Sequence, residues 1–182
     1  MAKLVDKTYG EALFQLALES SSVDRLFDEA KAVLKVFQNN ADIKKFLNHP
    51  KISKEEKTAF IENVFNDRVS DDFTGFMLIV IKKDRQNEIE DILEYFIEKI
   101  KEYKKIGIVS VKSATELTDE QKDRLVNRLL EITEYKTFEI DYAVDSTLLG
   151  GMIIRIGDRV VDSSIKTKIN SLSRNLYNIQ LT

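Results

Sequence analysis

The sequence predicts an α+β protein of two domains, in which an N-terminal bundle of about six α-helices precedes a small C-terminal α+β domain. Two observations support this prediction. Up to about residue 105, apolar residues recur every three or four positions, as in amphipathic helices, whereas beyond it two-residue alternation begins. Four of the six glycines also lie in the later part, where strands and tight turns need them. We therefore expect domains over residues 1–105 and 106–182.

Six helices are expected in the first domain, and local signals mark several of their ends. Ser53 and Glu56 have the spacing of a capping box at the start of the fourth helix, and Pro50 prevents the third from continuing. Asp71 and Asp72 fall in the first turn of the fifth, where negative charge favours the helix dipole. The expected helices span residues 4–20, 23–39, 41–48, 54–66, 71–84 and 89–103.

Strands dominate the expected second domain. Residues 138–144 alternate apolar and polar side chains, which predicts a strand with one buried face. The dipeptide Gly157-Asp158 predicts a two-residue hairpin turn, with strands on either side at 152–156 and 159–161. A further strand is expected at 108–112, and the sixth helix is expected to run almost directly into it because no Pro-, Gly- or Ser-rich linker intervenes.

Two helices complete the second domain. Thr118 and Gln121 have the spacing of a capping box, which begins a helix. Asp162-Ser163-Ser164 is typical of a helix N-cap and begins the last helix at about Ser164. The apolar side chains expected to face inward are Leu125, Leu129 and Ile132 in the earlier helix, and Ile165, Ile169, Leu172 and Leu176 in the last.

The composition excludes several classes of function. A net charge of −3 disfavours a nucleic-acid partner, because phosphate binding needs clustered Lys and Arg. The chain has no cysteine, so disulfides, thiol catalysis, zinc–thiolate sites and iron–sulfur clusters are excluded. The longest apolar run, residues 76–81, is far short of the ~18 residues of a membrane span. We therefore expect no direct membrane insertion, so that any membrane association would come through a partner.

Each candidate for catalysis has a more ordinary structural interpretation. The single histidine, His49, lies in a helix-ending turn before Pro50, where a catalytic triad is not expected. Gly150-Gly151 is followed by a strand rather than by the helix N-terminus that a phosphate loop needs, so a tight bend is expected there. The acidic pairs Glu55-Glu56 and Asp71-Asp72 fall at helix starts. We expect no catalytic, cofactor-binding or metal-binding residue.

The first and fifth helices carry more apolar surface than a core-facing stripe requires. In the fifth, the apolar side chains from Phe73 to Ile81 spread over roughly 200°, with Ile79 beyond that arc, although ~100° is enough to face a core. Two interpretations stay open. Both helices are buried all round, or one face of each is left to form a groove for an amphipathic helix of a partner. The first helix has a broad apolar face, Val5, Tyr9, Ala12, Leu13, Leu16 and Ala17, and a patch nearly opposite, Leu4, Phe14 and Leu18.

Three segments, spread over nearly the whole chain, carry motifs of one known family. Tyr9-Gly10-Glu11-Ala12-Leu13-Phe14 is similar to the family's opening helix, although Gly10 replaces the more usual Ala, at a cost to the helix of about 1 kcal/mol. Residues 46–52 are similar to the family's Asn-Pro-x-Ile turn, with His49 inserted. Residues 140–165, with Leu149-Gly150-Gly151-Met152 and Gly157-Asp158, follow the family's C-terminal signature almost throughout, with Ser163 where Gly is commoner. With these three segments the chain resembles the ATP synthase delta (OSCP) subunit family.

The resemblance implies a non-catalytic peripheral-stalk (stator) subunit of a bacterial F-type ATP synthase. Such a subunit links the catalytic head to the membrane sector and resists rotor torque during proton-driven ATP synthesis, without a cofactor. The helical domain, residues 1–105, would bind the N-terminal helix of an alpha subunit through its first and fifth helices. The second domain, residues 106–182, would contact the C-terminal region of a b-type stalk subunit. The chain would lie at the cytoplasmic face of the cell membrane, as a peripheral part of the complex. The candidate contact residues are Tyr9, Leu13, Phe14, Leu18, Phe73, Phe76, Met77 and Val80.

Two rival functions stay open on the residues alone. An adaptor from another assembly would share the helical bundle and would co-purify with partners other than the alpha and b subunits. A small enzyme would have its site in a cleft between the domains, with converging polar groups and a shifted pKa. The residues also leave open whether H⁺ or Na⁺ is the coupling ion.

Overall fold

The computed structural model of the chain describes residues 2–65 and 68–170, with side chains described from Val5 onward in these ranges. The chain divides into two compact units, Met1–Lys101 and Glu102–Thr182. Helices make up the described part of the first unit, and a small sheet lies in the second, so the expected α+β class is confirmed.

The six expected helices are all present, with ends that differ from the expected ones by a few residues. α5 ends two residues early because Asp84 adopts φ +57°, which turns the chain out of the helix. The backbone N–H groups of Asp84 and Arg85 then donate to the carbonyls of Ile81 and Val80, which satisfies the last turn. The helices are α1 (Ala2–Glu19), α2 (Val23–Asn39), α3 (Ala41–Leu47), α4 (Lys54–Phe65), α5 (Asp71–Lys82) and α6 (Ile89–Lys104), with a 3₁₀ turn, η1 (Gln86–Glu88), before α6.

Local and tertiary caps both fix helix starts in the first unit. The expected capping box of α4 is confirmed, since Ser53 N donates to Glu56 Oε2 at 2.9 Å and Glu56 N donates to Ser53 Oγ at 3.2 Å. At α5, Ser70 Oγ accepts from Phe73 N at 3.4 Å. Ser70 in turn donates from its N and its Oγ to the carboxylate of Glu29 on α2, at 2.9 and 2.6 Å. The start of α5 is therefore held by another helix as well as by its own cap.

The core of the first unit draws side chains from all six helices. Phe37 of α2 stacks on Phe65 of α4 with ring centroids 6.3 Å apart, and Phe46 of α3 lies 4.6 Å from Phe60 of α4. Burial of one such side chain contributes about 1.5–3 kcal/mol. The large side chains that are almost wholly buried are Leu13, Leu26, Phe37, Leu47, Ile61, Phe73, Met77, Ile81, Ile89, Ile92, Leu93 and Phe96.

A four-stranded sheet of order β2-β1-β3-β4 organises the second unit. β1 pairs parallel with β2 and antiparallel with β3, and β3 pairs antiparallel with β4. Only Lys105, at φ +55°, separates α6 from β1, so the expected direct passage from helix to strand is confirmed. The elements are β1 (Ile106–Ser113), α7 (Asp119–Ile132), β2 (Thr137–Val144), β3 (Met152–Ile156) and β4 (Arg159–Asp162).

α7 packs on one face of this sheet. Its expected capping box of Thr118 and Gln121 is present, and Leu129 is buried against Val109 and Val111 of β1. Leu125, Phe138, Ile140, Ile154 and Ile156 pack around this cluster. The expectation that Ile132 faces inward is wrong, since this last residue of α7 is 59% exposed, at the helix end.

The glycine-rich segment makes a bend and then a hairpin, as expected. Ile156 pairs with Arg159 across Gly157-Asp158, which confirms the two-residue turn. Gly151 adopts φ +82°, and a Cβ there would lie 2.6 Å from the backbone oxygen of Ser163. A side chain at this position would therefore have both a strained backbone and no room.

The last helix begins where its cap was expected. Ser164 Oγ accepts from Thr167 N at 3.3 Å, and Asp162 Oδ1 accepts from Ser164 N at 2.8 Å. Residues 165–170 are helical. The expectation that Ile165 and Ile169 face inward is wrong, since they are 45% and 53% exposed on this short described part of the helix. The inward-facing role expected for Leu172 and Leu176 lies outside the described residues.

Candidate partner-binding surfaces

The four candidate residues of α5 face the core of the first unit. Phe73 and Val80 are fully buried, Met77 is nearly so, and Phe76 is 8% exposed. Their spacing puts them on one side of the helix, which the rest of the bundle covers. A partner could reach these side chains only if the bundle opened.

The opposite side of α5 carries a stripe of small and apolar residues that the bundle leaves open. Ile79 is 53% exposed, and Leu78 is half-buried. Gly75 has open space where a Cβ would stand. Spacings of three and four residues place the three on one helix side. Gly75 and Leu78 also line a shallow cleft with Glu62 and Asn63 of α4. We call Gly75, Leu78 and Ile79 the outer stripe of α5.

The candidate residues of α1 divide between the core and the surface. Leu13 is fully buried and Phe14 is only 9% exposed, so the bundle covers Phe14. Phe14 therefore does not belong to an uncovered patch opposite the core, as its position in the sequence had suggested. Leu18 and Tyr9 are half-buried. The side chain of Leu4, the third member of that expected patch, lies outside the described residues.

A second apolar stripe of α1 is open to solvent instead. Val5, Tyr9 and Leu16 are half-buried, and Ala12 is exposed. Successive spacings of four, three and four residues align these four along one side of the helix. The broad face expected from the sequence is thus split, because Leu13 and Ala17 turn inward while these four remain accessible. We call Val5, Tyr9, Ala12 and Leu16 the outer stripe of α1.

Gly75 and Ile79 are surface residues that sequence reasoning did not choose as candidates. A signal for Ile79 was present, since it falls outside the arc of the other apolar residues and so cannot share their buried side. Gly75 gives no hydrophobic signal at all. Its accessibility depends on which side of α5 the other helices cover.

Acidic side chains converge where α1 meets η1 and α6. Burial raises the pKa of Asp6 above its ordinary value of 3.8, and the neighbouring charges of Asp91 and Glu88 raise it further. Asp6 Oδ1 and Glu88 Oε2 are buried oxygens without a hydrogen-bond donor. In the described parts of the chain, no group of three or more His, Cys, Asp and Glu side chains is arranged to hold a metal ion. We interpret the convergence as an electrostatic cost at neutral pH.

His49, which was considered for catalysis, lies in a turn, and Asp162 belongs to the expected cap of the last helix. His49 is exposed, and its Nδ1 accepts a hydrogen bond from Lys51 N at 3.2 Å within the turn after α3. The pKa of Asp162 is lowered by hydrogen bonds from Thr167 and Ser164, which belong to the helix cap. These contacts give both residues a structural role.

The second unit has an apolar cleft between the end of α7 and the β3–β4 hairpin. Ile132, Tyr135 and Val161 are exposed along it, and Ile156 lies deeper. Charged residues of both signs stand at its rim, so the cleft combines an apolar floor with a polar edge. This combination is typical of protein-binding surfaces. We call Ile132, Tyr135, Ile156 and Val161 the hairpin cleft.

No helix within residues 2–65 and 68–170 has the length and hydropathy needed to cross a membrane.

Comparisons with known proteins agree on one family. The family model described as ATP synthase delta (OSCP) subunit matches residues 5–176. The ATP synthase subunit delta of Lachnoclostridium phytofermentans is 58% identical over 181 residues, covering 100% of this chain and 100% of the relative. That of Halothermothrix orenii is 32% identical over 178 residues, covering 98% of this chain and 93% of the relative.

A solved structure shows the same fold. A chain of the Toxoplasma gondii mitochondrial ATP synthase hexamer matches with a TM-score of 0.68, covering 94% of this chain and 97% of that one. The two are 13% identical in sequence, so this likeness concerns the fold alone.

Proposed function

Because the chain belongs to the ATP synthase delta (OSCP) subunit family, we propose that its helical unit binds the N-terminal helix of an alpha subunit through the outer stripes of α1 and α5. As a member of the family, the chain is a non-catalytic peripheral-stalk subunit of an ATP synthase. Its task is then to hold other subunits against torque. Affinity and stiffness replace catalysis as the physical requirements.

The exposure of Ile79 is the observation that best supports this binding surface. A β-branched apolar side chain in mid-helix, 53% open to solvent, has no role in the core of its own bundle. With Leu78 and Gly75 it offers the kind of apolar stripe into which an amphipathic helix packs. Tyr9 and Ala12 supply the corresponding positions on α1.

The buried candidates have a supporting role in this proposal. Leu13, Phe14, Phe73, Phe76, Met77 and Val80 pack the inner sides of the same two helices. They hold the outer stripes in place, and we assign direct contact to the outer stripes, of which Tyr9 is a member. Leu18 lies nearly opposite the outer stripe of α1, so we assign it no contact with the same partner helix. An acidic replacement of Phe14 or Phe76 would therefore lower affinity by disturbing the bundle, not by removing a contact.

Isothermal titration of the full chain with a synthetic alpha N-terminal peptide tests the surface. We expect saturable binding, which Ile79→Asp weakens at least about tenfold, equivalent to ~1.4 kcal/mol, because a carboxylate must be desolvated in the interface. Tyr9→Asp should weaken binding similarly. Because Ile79 is 53% exposed in the free chain, its replacement should not lower the thermal midpoint by more than a few degrees. Tyr9 is more buried, so the thermal midpoint of Tyr9→Asp is measured alongside its affinity.

Val36→Asp is the matched control, since Val36 is an apolar residue of α2 that is 36% exposed and lies outside both stripes. It should leave peptide affinity unchanged. Equal affinity of the wild type, Ile79→Asp and Tyr9→Asp would show that the peptide binds elsewhere. Absence of any saturable complex at micromolar peptide would count against capture of the alpha helix by this chain.

We further propose that the second unit contacts the C-terminal region of a b-type stalk subunit through the hairpin cleft. The described residues of this unit leave part of its apolar surface uncovered, and this part is contributed by Ile132, Tyr135 and Val161. Their position at the end of α7 and in the hairpin explains why Ile132 is not needed in the unit's own core.

A pull-down with the soluble part of the b-type subunit tests this contact. Ile132→Asp and Val161→Asp should each reduce capture at least about tenfold. Leu149→Asp is the control, because Leu149 is 73% exposed and lies before β3, outside the cleft. Reduced capture with Leu149→Asp alone would assign the contact to the other end of β3.

In this proposal the chain lies at the cytoplasmic face of the cell membrane and is held there by its partners. Co-purification separates it from an adaptor of another assembly, since alpha and b subunits should be recovered together with the tagged full chain. Recovery of neither would contradict the proposed role.

A further inference from the structure

We propose that Gly10 and Tyr95 are positioning residues that set the rotation of α1 about its own axis, and so select the apolar side that α1 offers to the alpha-subunit helix. This inference rests on the proposed function. It goes beyond that function by assigning the choice of binding side to a contact between α1 and α6.

The contact consists of a close approach at Gly10, which is buried. A Cβ at this position would overlap the ring of Tyr95, at Cδ1, and would lie 3.3 Å from the backbone oxygen of Ile92. Both neighbours belong to α6. The absence of a side chain therefore lets α6 approach α1 here more closely than any other residue would allow.

A hydrogen bond fixes α1 at the next residue. Tyr95 Oη donates to Glu11 Oε1 at 3.1 Å, so the ring that covers Gly10 is tied to the adjacent position of the same helix. Successive residues of an α-helix point ~100° apart. Two contacts to one ring, separated in this way around α1, resist rotation in both directions.

The rotation determines which apolar residues are covered. With Gly10 against α6, Leu13 and Ala17 are fully buried and Phe14 nearly so. Val5 and Tyr9 then remain partly accessible, and Ala12 is exposed. Because α1 has apolar side chains over most of its circumference, hydrophobic burial alone discriminates weakly between rotations, and a specific steric contact is needed.

A methyl group at position 10 could be accommodated only if the contact between α1 and α6 changed. The Tyr95 ring could swing aside only by losing its hydrogen bond to Glu11, and the Ile92 carbonyl is backbone and cannot rotate away. We therefore expect Gly10→Ala to turn or displace α1, although alanine is the better helix former.

The lack of cysteine in the chain allows this rotation to be measured directly. A thiol introduced by Ala12→Cys lies on the exposed outer stripe, and one introduced by Ala17→Cys lies on the buried side. In the parent background the first should react with a maleimide much faster than the second. Gly10→Ala should bring the two rates closer together, and it should lower the affinity for the alpha peptide about tenfold.

A size-compensating second change distinguishes positioning from general damage. Adding Tyr95→Leu to Gly10→Ala removes the ring that the new methyl group meets, but also the hydrogen bond to Glu11, so it should move the labelling ratio and the peptide affinity part of the way back to the wild-type values. Gly75→Ala is the control for labelling, because its Cβ meets open space on α5 and should leave the ratio of the two α1 thiols unchanged. Circular dichroism checks that each variant stays helical.

The labelling and binding results test the positioning role and the proposed function separately. If wild type and Gly10→Ala bind the peptide equally with the same labelling ratio, the positioning role is overturned while the proposed function stands. Failure of Tyr95→Leu to rescue a folded Gly10→Ala protein also overturns it. If the labelling ratio shifts and is rescued but wild type binds no alpha peptide, the failure lies with the proposed function, and the control of α1 rotation is supported.

Discussion

Two glycines of the second unit occupy left-handed backbone but have different surroundings. Gly151, at φ +82°, faces the backbone of Ser163 and Ser164, whereas Gly157, at φ +55°, has nothing within 4 Å of the position of a Cβ. Gly10 differs from both, because its contribution is close approach between helices. Gly10 therefore costs the helix about 1 kcal/mol in propensity, but it permits a tertiary contact that a residue with a side chain would not.

Alanine at these two positions should lower the free energy of unfolding by different amounts. Gly157→Ala should cost about 1 kcal/mol, the backbone cost of a left-handed alanine. Gly151→Ala should cost more, about 2–4 kcal/mol, because a methyl group would also lie 2.6 Å from the Ser163 oxygen. Chemical denaturation of the two variants measures the difference. Equal losses in the free energy of unfolding would mean that Ser163 and Ser164, after β4, can move aside from the methyl group at little energetic cost.

Asp6 carries a pH-dependent cost in the first unit. Its pKa in the folded chain is raised above 3.8 by burial and by the charges of Asp91 and Glu88. Between pH 3.8 and the raised pKa the folded state binds more protons than the unfolded state. The free energy of unfolding therefore falls as pH rises through this window, and ionised Asp6 destabilises the chain at neutral pH.

Asp6→Asn removes that cost. We expect the variant to be more stable than wild type at pH 7 by a few tenths of a kcal/mol at low salt, and less so in high salt, because the group is partly solvated. The advantage should vanish near pH 3, where Asp6 is protonated in both states. Asp28→Asn, at an exposed aspartate of α2, is the control. If the gain in stability persisted unchanged at pH 3, it would result from packing of the new amide and not from removal of the charge.

At the scale of elements, helix ends differ in how far they depend on local sequence. The starts of α4 and α7 are set by capping boxes four residues long, and both were correctly expected. The start of α5 depends also on Glu29, 41 residues away along the chain. Sequence pattern alone could not reveal this contact, because it exists only when α2 and α5 are packed together.

The tertiary cap gives an element-scale prediction. Glu29→Ala leaves the N–H of buried Ser70 without its acceptor, so we expect a loss of about 1–3 kcal/mol. Glu98→Ala, at an exposed position of α6, should cost less than about 0.5 kcal/mol. Urea denaturation of both variants checks the difference. A loss no larger for Glu29→Ala than for Glu98→Ala would show that water replaces the carboxylate.

At the scale of the whole molecule, each compact unit has its own core. The cluster of Val109, Val111 and Leu129 shares no residue with the core of the helical unit. We therefore expect two transitions when the chain is heated in a calorimeter. Glu29→Ala should lower the midpoint of one and Gly151→Ala that of the other, by about 4–8 °C per kcal/mol lost. A single transition that both variants shift equally would show that the units unfold together.

Residue types and their spacing were enough to establish the α+β class, the order of helices and strands, the capping boxes and the hairpin turn. These depend on side-chain period and on contacts a few residues apart, which are present in any short segment. The same residue patterns also established the family, through the segment from Leu149 to Ile165. The folded structure was needed to show that α5 ends at Lys82, that Ile132 lies outside the core and that Phe76 is buried, although the sequence already set Ile79 apart from the other apolar residues of α5.

For the covered and open sides of α1 and α5 the cause is the same. A helix that is apolar over most of its circumference can bury several alternative sides at similar free energy, so its own sequence does not choose among them. The choice is made by neighbours distant in the chain, such as Glu29 at the start of α5 and Tyr95 against Gly10 of α1. Local sequence therefore determined which helices carry surplus apolar surface, and packing decided which side of each is left for a partner.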